Sequence, residues 1–432
     1  MKRGRVDIIT MGCSKNLVDS EKLMRQLEAE CFTVRHNPAI PLGEFVIINT
    51  CGFIGDAQQE SINMILECCE LKKKGRIGKL YVMGCLAGKY KNELEQEIPE
   101  IDGFYGKFDW NRILPDINRV WHTDLQNDRC LTTPSHYAYL KIAEGCSRGC
   151  SYCAIPLLTG PYKSRDMESV LSEAKLLVSK GVREIQLIAQ DLTFYGLDSY
   201  HKSKIAELVE RLADIEGLDW IRLHYGYPEG FPVDLLRVMR ERDNVCRYLD
   251  VALQHISNPV LKRMHRNITA EQTKDLIGLI RSEVPGIHLR TTFMVGFPGE
   301  TEEDFDKLME FADEYRFERM GAFTYCEVEG TWSSLHYPDD VPEAVKQERC
   351  SRLMRLQQDL SYQLSQEKIG KVYKTVIDRR EGDYYIGRTE FDSPDVDPEV
   401  LIPADRRLLR GRFYDVRIKS AEAFDLFGII EK

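Results

Sequence analysis

Lys141–Arg165 reads KIAEGCSRGCSYCAIPLLTGPYKSR, and the rest of the chain is interpreted outward from its three cysteines. Cys146, Cys150 and Cys153 follow the order Cys-x-x-x-Cys-x-x-Cys. Three thiolates this close repel one another and are reactive, so a chain that keeps them together needs a metal to neutralise them. Structural zinc wants four closed ligands, usually as two separated Cys-x-x-Cys pairs, and the run holds no fourth Cys or His. Iron–sulfur clusters are held by thiolates at such short spacings. Three ligands on a four-iron cluster leave one iron open, and an open metal position is where chemistry takes place. The bland alternative is three unligated core cysteines, but free cysteines seldom cluster this way.

This run closely resembles the signature of the radical S-adenosylmethionine superfamily. The resemblance implies that S-adenosylmethionine chelates the open iron through its amino and carboxylate groups. One electron from the cluster then splits it into methionine and a deoxyadenosyl radical. The cofactor carries the hard chemistry, and the protein supplies orientation and exclusion of water.

The 432 residues hold 59 Lys+Arg against 69 Asp+Glu, a net charge of −10. That balance does not favour non-specific binding to nucleic acid, which runs on phosphate neutralisation, and it suits a basic partner. The N-terminal MKRGRVDIITMGCSKN has no long apolar stretch and no small-residue cleavage site, so no signal peptide is expected. No apolar run is long enough for a membrane span. Thirteen cysteines without a secretory signal point to reduced thiols and metal ligation in the cytoplasm.

Three short runs rich in Val and Ile, Val6–Thr10, Glu44–Thr50 and Lys79–Gly84, read as buried parallel strands. Asp19 and Ser20 are expected to cap a helix carrying Leu23 and Leu27. Ala57–Leu71 reads as a helix with Ile62, Ile65 and Leu66 on one face. Each of the three strands is followed by a cysteine beside a glycine: Gly12-Cys13, Cys51-Gly52 and Gly84-Cys85. In open parallel sheets the ligand site lies beyond the carboxyl ends of the strands, so these cysteines are expected to converge at one edge. Three scattered buried cysteines are the alternative.

GCSKNLVDSE (Gly12–Glu21), INTCGFI (Ile48–Ile54) and GCLAGKY (Gly84–Tyr90) resemble the N-terminal domain of the radical methylthiotransferases. The resemblance runs over essentially the whole chain. It implies that Cys13, Cys51 and Cys85 hold a second, auxiliary 4Fe-4S cluster. Ser-Lys-Asn after Cys13 and Gly-Phe-Ile after Cys51 are similar to the RimO-type branch, which modifies a ribosomal protein. The MiaB-type branch, which modifies an adenosine of tRNA, usually has Gln-Met-Asn and Ser-Val-Arg there.

From about Pro134 to Tyr362 strands and helices alternate. Candidate strands are Tyr137–Ile142, Glu184–Gln190, Trp220–Tyr225, Tyr248–Leu253, Ile287–Val295 and Met320–Tyr325. Six β/α units predict a partial (β/α)6 barrel with its chemistry at the carboxyl ends of the strands. Thr301 reads as the N-cap of a helix with acids in its first turn. The resemblance implies that Ile155, Pro156, Gln190, Arg290 and Thr292 surround S-adenosylmethionine. Thr159-Gly160-Pro161 stands where family members more often have Arg-Gly, while Ser164-Arg165 is retained. His255 at a strand end reads as a structural hydrogen-bonding residue rather than an acid or base. Cys31, Cys68, Cys69, Cys130, Cys246, Cys326 and Cys350 lack ligand spacing and read as core or surface thiols.

Ala344–Lys368 reads as a long linking helix. Short β runs beyond it, split by Gly, Pro and Asp, predict a small all-β barrel, and this tail resembles the TRAM domain. It holds 13 Lys+Arg and 13 Asp+Glu from Lys368 to Lys432, a balance of zero, with the acidic block Phe391–Glu399 in its middle. That block, through Asp392, Asp395, Asp397 and Glu399, is expected to dock a basic protein. Deletion beyond about Glu367 is expected to spare the radical chemistry.

The expected architecture is thus an N-terminal α/β domain with a parallel sheet (1–125), a central radical barrel (132–362) and a TRAM-like β-barrel (366–432). The resemblance implies methylthiolation at the β-carbon of an aspartate of ribosomal protein S twelve in the small subunit. It calls for two 4Fe-4S clusters, S-adenosylmethionine and a reductant such as a flavodoxin, in a cytoplasmic monomer. A tRNA methylthiotransferase is the nearest rival, and a non-catalytic iron–sulfur scaffold a rival of another class.

Overall fold

The computed structural model describes residues 4–52 and 55–431. Phe53 and Ile54, the end of the Gly-Phe-Ile stretch, lie outside them. The apolar runs at the start of the chain form β1 (Arg5–Thr10), β3 (Phe45–Thr50) and β4 (Lys79–Gly84) of a sheet completed by β2 (Thr33–His36) and β5 (Gly103–Tyr105). Its order is β2-β1-β3-β4-β5, parallel throughout. The order reverses between β1 and β3, which opens a crevice at their carboxyl ends. The two outer strands carry no apolar run: β2 is TVRH and β5 is three residues.

Helix α1 (Ser14–Ala29) begins directly after Cys13, which is its N-cap residue. Asp19 and Ser20 therefore lie inside the helix, buried, and cap nothing. Asp19 tolerates burial because Lys107 (2.7 Å) and Lys141 both donate to it. On α2 (Gly55–Lys73) Ile65 is buried and Ile62 half-buried, but Leu66 is exposed. Cys68 and Cys69, three and four residues after Ile65, complete the inner face.

The central unit has β6 (Tyr137–Lys141), β9 (Glu184–Ile188), β10 (Trp220–Gly226), β11 (Val245–Gln254), β12 (His288–Val295) and β13 (Arg319–Thr324). They pair in parallel in the order β13-β12-β11-β10-β9-β6, which is the expected six-unit partial barrel. Two-residue strands β7 (Ala143–Glu144) and β8 (Lys163–Ser164) pair antiparallel and clasp the cysteine loop between them. Leu289, Thr291, Phe293 and Val295 of β12 are buried, while Arg290, Thr292 and Met294 lie on its other, half-buried face. Thr301 caps the helix Glu302–Tyr315 with a reciprocal box through Asp304.

Buried ions join the first unit to the second. Arg129 bridges Glu21 (2.7 Å) and Glu173 (3.2 Å), and Glu173 also meets Lys22 (3.1 Å) and Arg165 (2.8 Å). Burial alone would raise the Glu173 carboxyl, but Arg165, Lys22 and Arg129 bring it down to about 2. Its folded pKa is thus below its unfolded one. The stability it contributes is present above the unfolded value near 4.5 and is lost as pH falls towards 2. Urea melts between pH 7 and 3 should show stability falling below about pH 5. Glu173→Gln should be less stable at pH 7 and flatten the acid limb; an unchanged limb would exclude this group as its source.

After the long helix Glu343–Gln366 come β14 (Val372–Glu381), β15 (Tyr384–Thr389), β16 (Val400–Pro403), β17 (Phe413–Ala421) and β18 (Leu426–Ile430), closed in the order β14-β15-β16-β18-β17. The acidic block does not form the expected docking rim. Asp392 is buried against Arg319 (2.7 Å), and Asp397 accepts from Arg290 (2.6 Å). Asp395 faces the hydroxyls of Tyr137 and Tyr139, and Glu399 takes both ends of Arg379. Three of the four acids fasten the tail to the central unit, and Glu399 pairs within the tail. Among the described residues no helix is long and apolar enough to cross a membrane.

Candidate active site

Cys13, Cys51 and Cys85 stand at the carboxyl ends of β1, β3 and β4, on the crevice side of the first sheet. Gly12 makes the approach possible. At φ +81° it holds a left-handed conformation, and a Cβ there would lie 2.6 Å from the Cys51 Cβ and 2.8 Å from its sulfur. The three thiols lie within electrostatic range of one another: Cys13 and Cys51 both raise Cys85, after burial, to about 12. Cys13 behaves differently. Burial would raise its thiol, but Lys15, Lys107 and the backbone N–H groups of Asn16 and Lys15 at the start of α1 hold it below its ordinary value.

The second triad occupies the loop clasped by β7 and β8. Cys146 N–H donates to the Gly160 carbonyl (3.2 Å). Gly145, at φ +81°, has room for no Cβ because the Pro161 carbonyl overlaps that position. Burial pushes Cys146 up to about 11 and Cys153 to about 12, with Cys150 adding to both. Arg266 Nη1 is 3.7 Å and the Tyr227 hydroxyl 3.6 Å from the Cys150 sulfur. Tyr227 is flanked by two guanidinium groups, Arg266 at 4.0 Å and Arg148 at 4.2 Å from the ring centre. Arg148 in turn holds Asp191 (2.7 Å) at the end of β9.

The two triads lie close together where the first unit packs on the second. Cys85 packs in a cluster with Ala154 and Leu158, the residues that follow Cys153. Lys107 lies between, bonded to Asp19 and Asn16 and in electrostatic range of Cys13, Cys85 and Glu144. Glu144 is two residues before Cys146 and is held by Lys141 (2.8 Å).

Ile155 and Pro156 open the short helix Ile155–Thr159 after Cys153. Gln190 donates to Glu144 (3.4 Å), and Thr292 shares its face of β12 with Arg290. The Arg290 guanidinium is engaged by Asp397 of the tail and lies 4.0 Å from Asp250. His255 is fully buried, accepts from Ser257 N–H and faces Glu300, a structural role. Arg266, Tyr227, Lys107 and Arg148 did not stand out in the sequence. Arg266 and Tyr227 are far from Cys150 along the chain, and no local pattern links them to it.

The donor chemistry fits iron–sulfur clusters: soft thiolates in threes, with cations beside each set to offset cluster charge. Among the described residues no three His, Cys, Asp or Glu side chains close around a single ion.

Residues 140–312 match the radical SAM superfamily, residues 5–106 the uncharacterized protein family UPF0004, and residues 369–430 the TRAM domain. A protein of Parabacteroides distasonis named ribosomal protein uS12 methylthiotransferase RimO is 58% identical over 428 residues, 99% of each chain. The protein of that name from Phocaeicola vulgatus is 59% identical over the whole of both chains. The chain belongs to the RimO family of methylthiotransferases. A more distant RimO, from Christiangramia forsetii, is 50% identical over 99% of this chain and 94% of that one. Membership makes the chain a radical S-adenosylmethionine enzyme of the transferase class, with an iron–sulfur cluster among its cofactors. Among solved structures, the radical methyltransferase TsrM of Kitasatospora setae, with cobalamin and a 4Fe-4S cluster bound, aligns with a TM-score of 0.55 and 15% identity over 74% of this chain and 75% of that one. That likeness is one of fold.

Proposed function

We propose that this RimO-family chain inserts sulfur and a methyl group at the β-carbon of an aspartate of ribosomal protein uS12. The observation that supports it best is the packing of Cys85 against Ala154 and Leu158, which brings the two cysteine triads close together. Relatives of near-full-length similarity carry uS12 methylthiotransferase as their name. In this reading Cys146, Cys150 and Cys153 hold one 4Fe-4S cluster and Cys13, Cys51 and Cys85 a second. Ile155, Pro156, Gln190, Arg290 and Thr292 border S-adenosylmethionine. When bound, these groups would supply the electron, the hydrogen-abstracting radical and the transferred methyl, with the auxiliary cluster as the platform for the inserted sulfur. The chain's own residues hold and shield them: Arg266 sets positive charge beside Cys150, Arg148 near Cys146, and Lys107 beside Cys13 and Cys85. Residues 1–125 carry the auxiliary site, 132–362 the radical chemistry and 366–432 the tail barrel. The enzyme works as a cytoplasmic monomer with a reductant such as a flavodoxin. Mass spectrometry of uS12 and of tRNA from cells lacking this chain tests the reading: methylthio loss on tRNA, with uS12 unchanged, would overturn it.

The neutral tail also gives an expected outcome in vitro. Free tRNA should bind weakly and with a shallow salt dependence, because each neutralised phosphate of a duplex adds about 0.9 to the slope of log affinity against log salt. Tight binding with a slope of several units, measured by filter retention across a salt series, would favour the tRNA rival.

A further inference from the structure

Lys15 is a buried cation without a carboxylate partner among the described residues. Its side chain is 6% exposed, and its ammonium lies 4.0 Å from the centre of the Tyr225 ring. Among the described residues no carboxylate lies within ion-pair distance of it. The neighbouring buried lysines differ: Lys107 is held by Asp19 and Asn16, and Lys141 by Asp19 and Glu144. Burying an ammonium is costly unless an anion pairs with it, and an aromatic face recovers only part of that cost.

The Cys13 thiol feels the charge of Lys15 and is itself assigned to the auxiliary cluster, and the other polar groups around Lys15 are committed elsewhere. Asp250 senses its charge but lies against Arg290. The His224 ring bonds to Gln186 (2.7 Å). Tyr225 stands near the carboxyl end of β10 in a left-handed conformation, φ +64°, with 38% of its surface exposed. Lys15 itself is two residues after Cys13 and reaches from the first unit to the barrel. The ammonium is thus pre-placed, partly desolvated and without a carboxylate partner, where the first unit meets the barrel.

We propose that Lys15 receives the side-chain carboxylate of the substrate aspartate. This deepens the uS12 reading and rests on it. The carboxylate is one bond from the β-carbon, so holding it fixes the reacting carbon. A neutral nucleobase offers no charge to this site. The methionyl carboxylate of S-adenosylmethionine is the other carboxylate at hand. Two features favour the substrate: Lys15 sits on α1 beside Cys13, and the Cys146–Cys153 loop has its own cations in Arg148 and Arg266.

The test titrates the reconstituted holoenzyme with purified uS12 and with uS12 whose target aspartate is changed to asparagine. Wild type, Lys15→Met and Lys15→Arg are compared by fluorescence anisotropy, and binding of S-adenosylmethionine is measured in parallel. Lys15→Met should weaken uS12 binding at least about tenfold, and Lys15→Arg should restore most of it. With the asparagine protein, wild type and Lys15→Met should bind alike, because the charge pair is already gone. Equal weakening by Lys15→Met on both proteins would overturn the proposal, as would a loss confined to S-adenosylmethionine binding. Wild-type holoenzyme that neither binds nor modifies uS12 would instead bring down the uS12 reading itself, and this proposal with it.

Discussion

Replacing Cys146, Cys150 and Cys153 together with alanine is expected to remove about half of the bound iron and all formation of 5′-deoxyadenosine. Replacing Cys13, Cys51 and Cys85 should also remove about half of the iron, yet leave cleavage of S-adenosylmethionine running without product. The asymmetry follows from where the thiols stand. One triad is clasped between β7 and β8 at the mouth of the barrel, with Arg266 and Tyr227 beside Cys150. The other is carried by three strand ends of a separate sheet. Each set is carried by its own strands or loop and meets the other where Cys85 packs on Ala154 and Leu158, so losing one should leave most of the other's cradle in place. Both triple variants need anaerobic reconstitution, iron determination per chain and chromatography of the nucleoside product. Circular dichroism checks the fold, since Cys51 and Cys85 are buried and their truncation leaves small gaps. Full iron content in either variant would remove that triad from the assignment.

What the sequence made legible was local. Apolar runs found β1, β3 and β4, whose interiors are buried on both faces and read as mostly unbroken apolar stretches, and shorter mixed runs found the six barrel strands, some of which keep a half-buried face. The cysteines were legible through their spacing and the glycines next to them. Strand β2 was missed because it is polar and buries little, and β5 because its buried Phe104 and Tyr105 make too short a run to read as a strand. Asp19 was misassigned for a different reason. An aspartate ahead of an apolar helix looks like a cap until Lys107 and Lys141, from distant segments, are seen to donate to it. Lys15 lay inside the quoted Cys-Ser-Lys-Asn stretch, but its isolation from any carboxylate exists only once the first sheet docks on the barrel. The acidic block of the tail is the same lesson with opposite sign. Charge counting treats acids as solvated, whereas Asp392 and Asp397 are already neutralised by Arg319 and Arg290.

That last correction changes what truncation should do. Glu184, at the start of β9, is fully buried and takes Arg222 (3.1 Å) from its own sheet and Arg388 (2.8 Å) from the tail. Arg388 also binds Asp378 (2.6 Å), which meets His136 (2.7 Å) of the central unit. Phe413 packs edge-on against Trp220 at 4.7 Å, and Phe391 stacks on His288 at 4.0 Å. Deleting the chain beyond Glu367 takes Arg388 from Glu184, Asp392 from Arg319 and Asp397 from Arg290. Breaking one such buried pair costs about 3–5 kcal/mol, against a total stability of about 5–15 kcal/mol for a typical protein. The truncated chain is therefore expected to aggregate or lose its clusters, rather than to keep a competent radical core. Arg388→Met isolates the effect in the full-length protein. It should lower stability by about 3–5 kcal/mol at pH 7. Burial, no longer opposed by Arg388, should also lift the Asp378 carboxyl from its position near 2. Urea melts of wild type and Arg388→Met, alongside solubility and iron content of the truncated chain, decide the matter. A truncated chain that melts like the full-length protein and still cleaves S-adenosylmethionine would show that these buried pairs do not hold the core together.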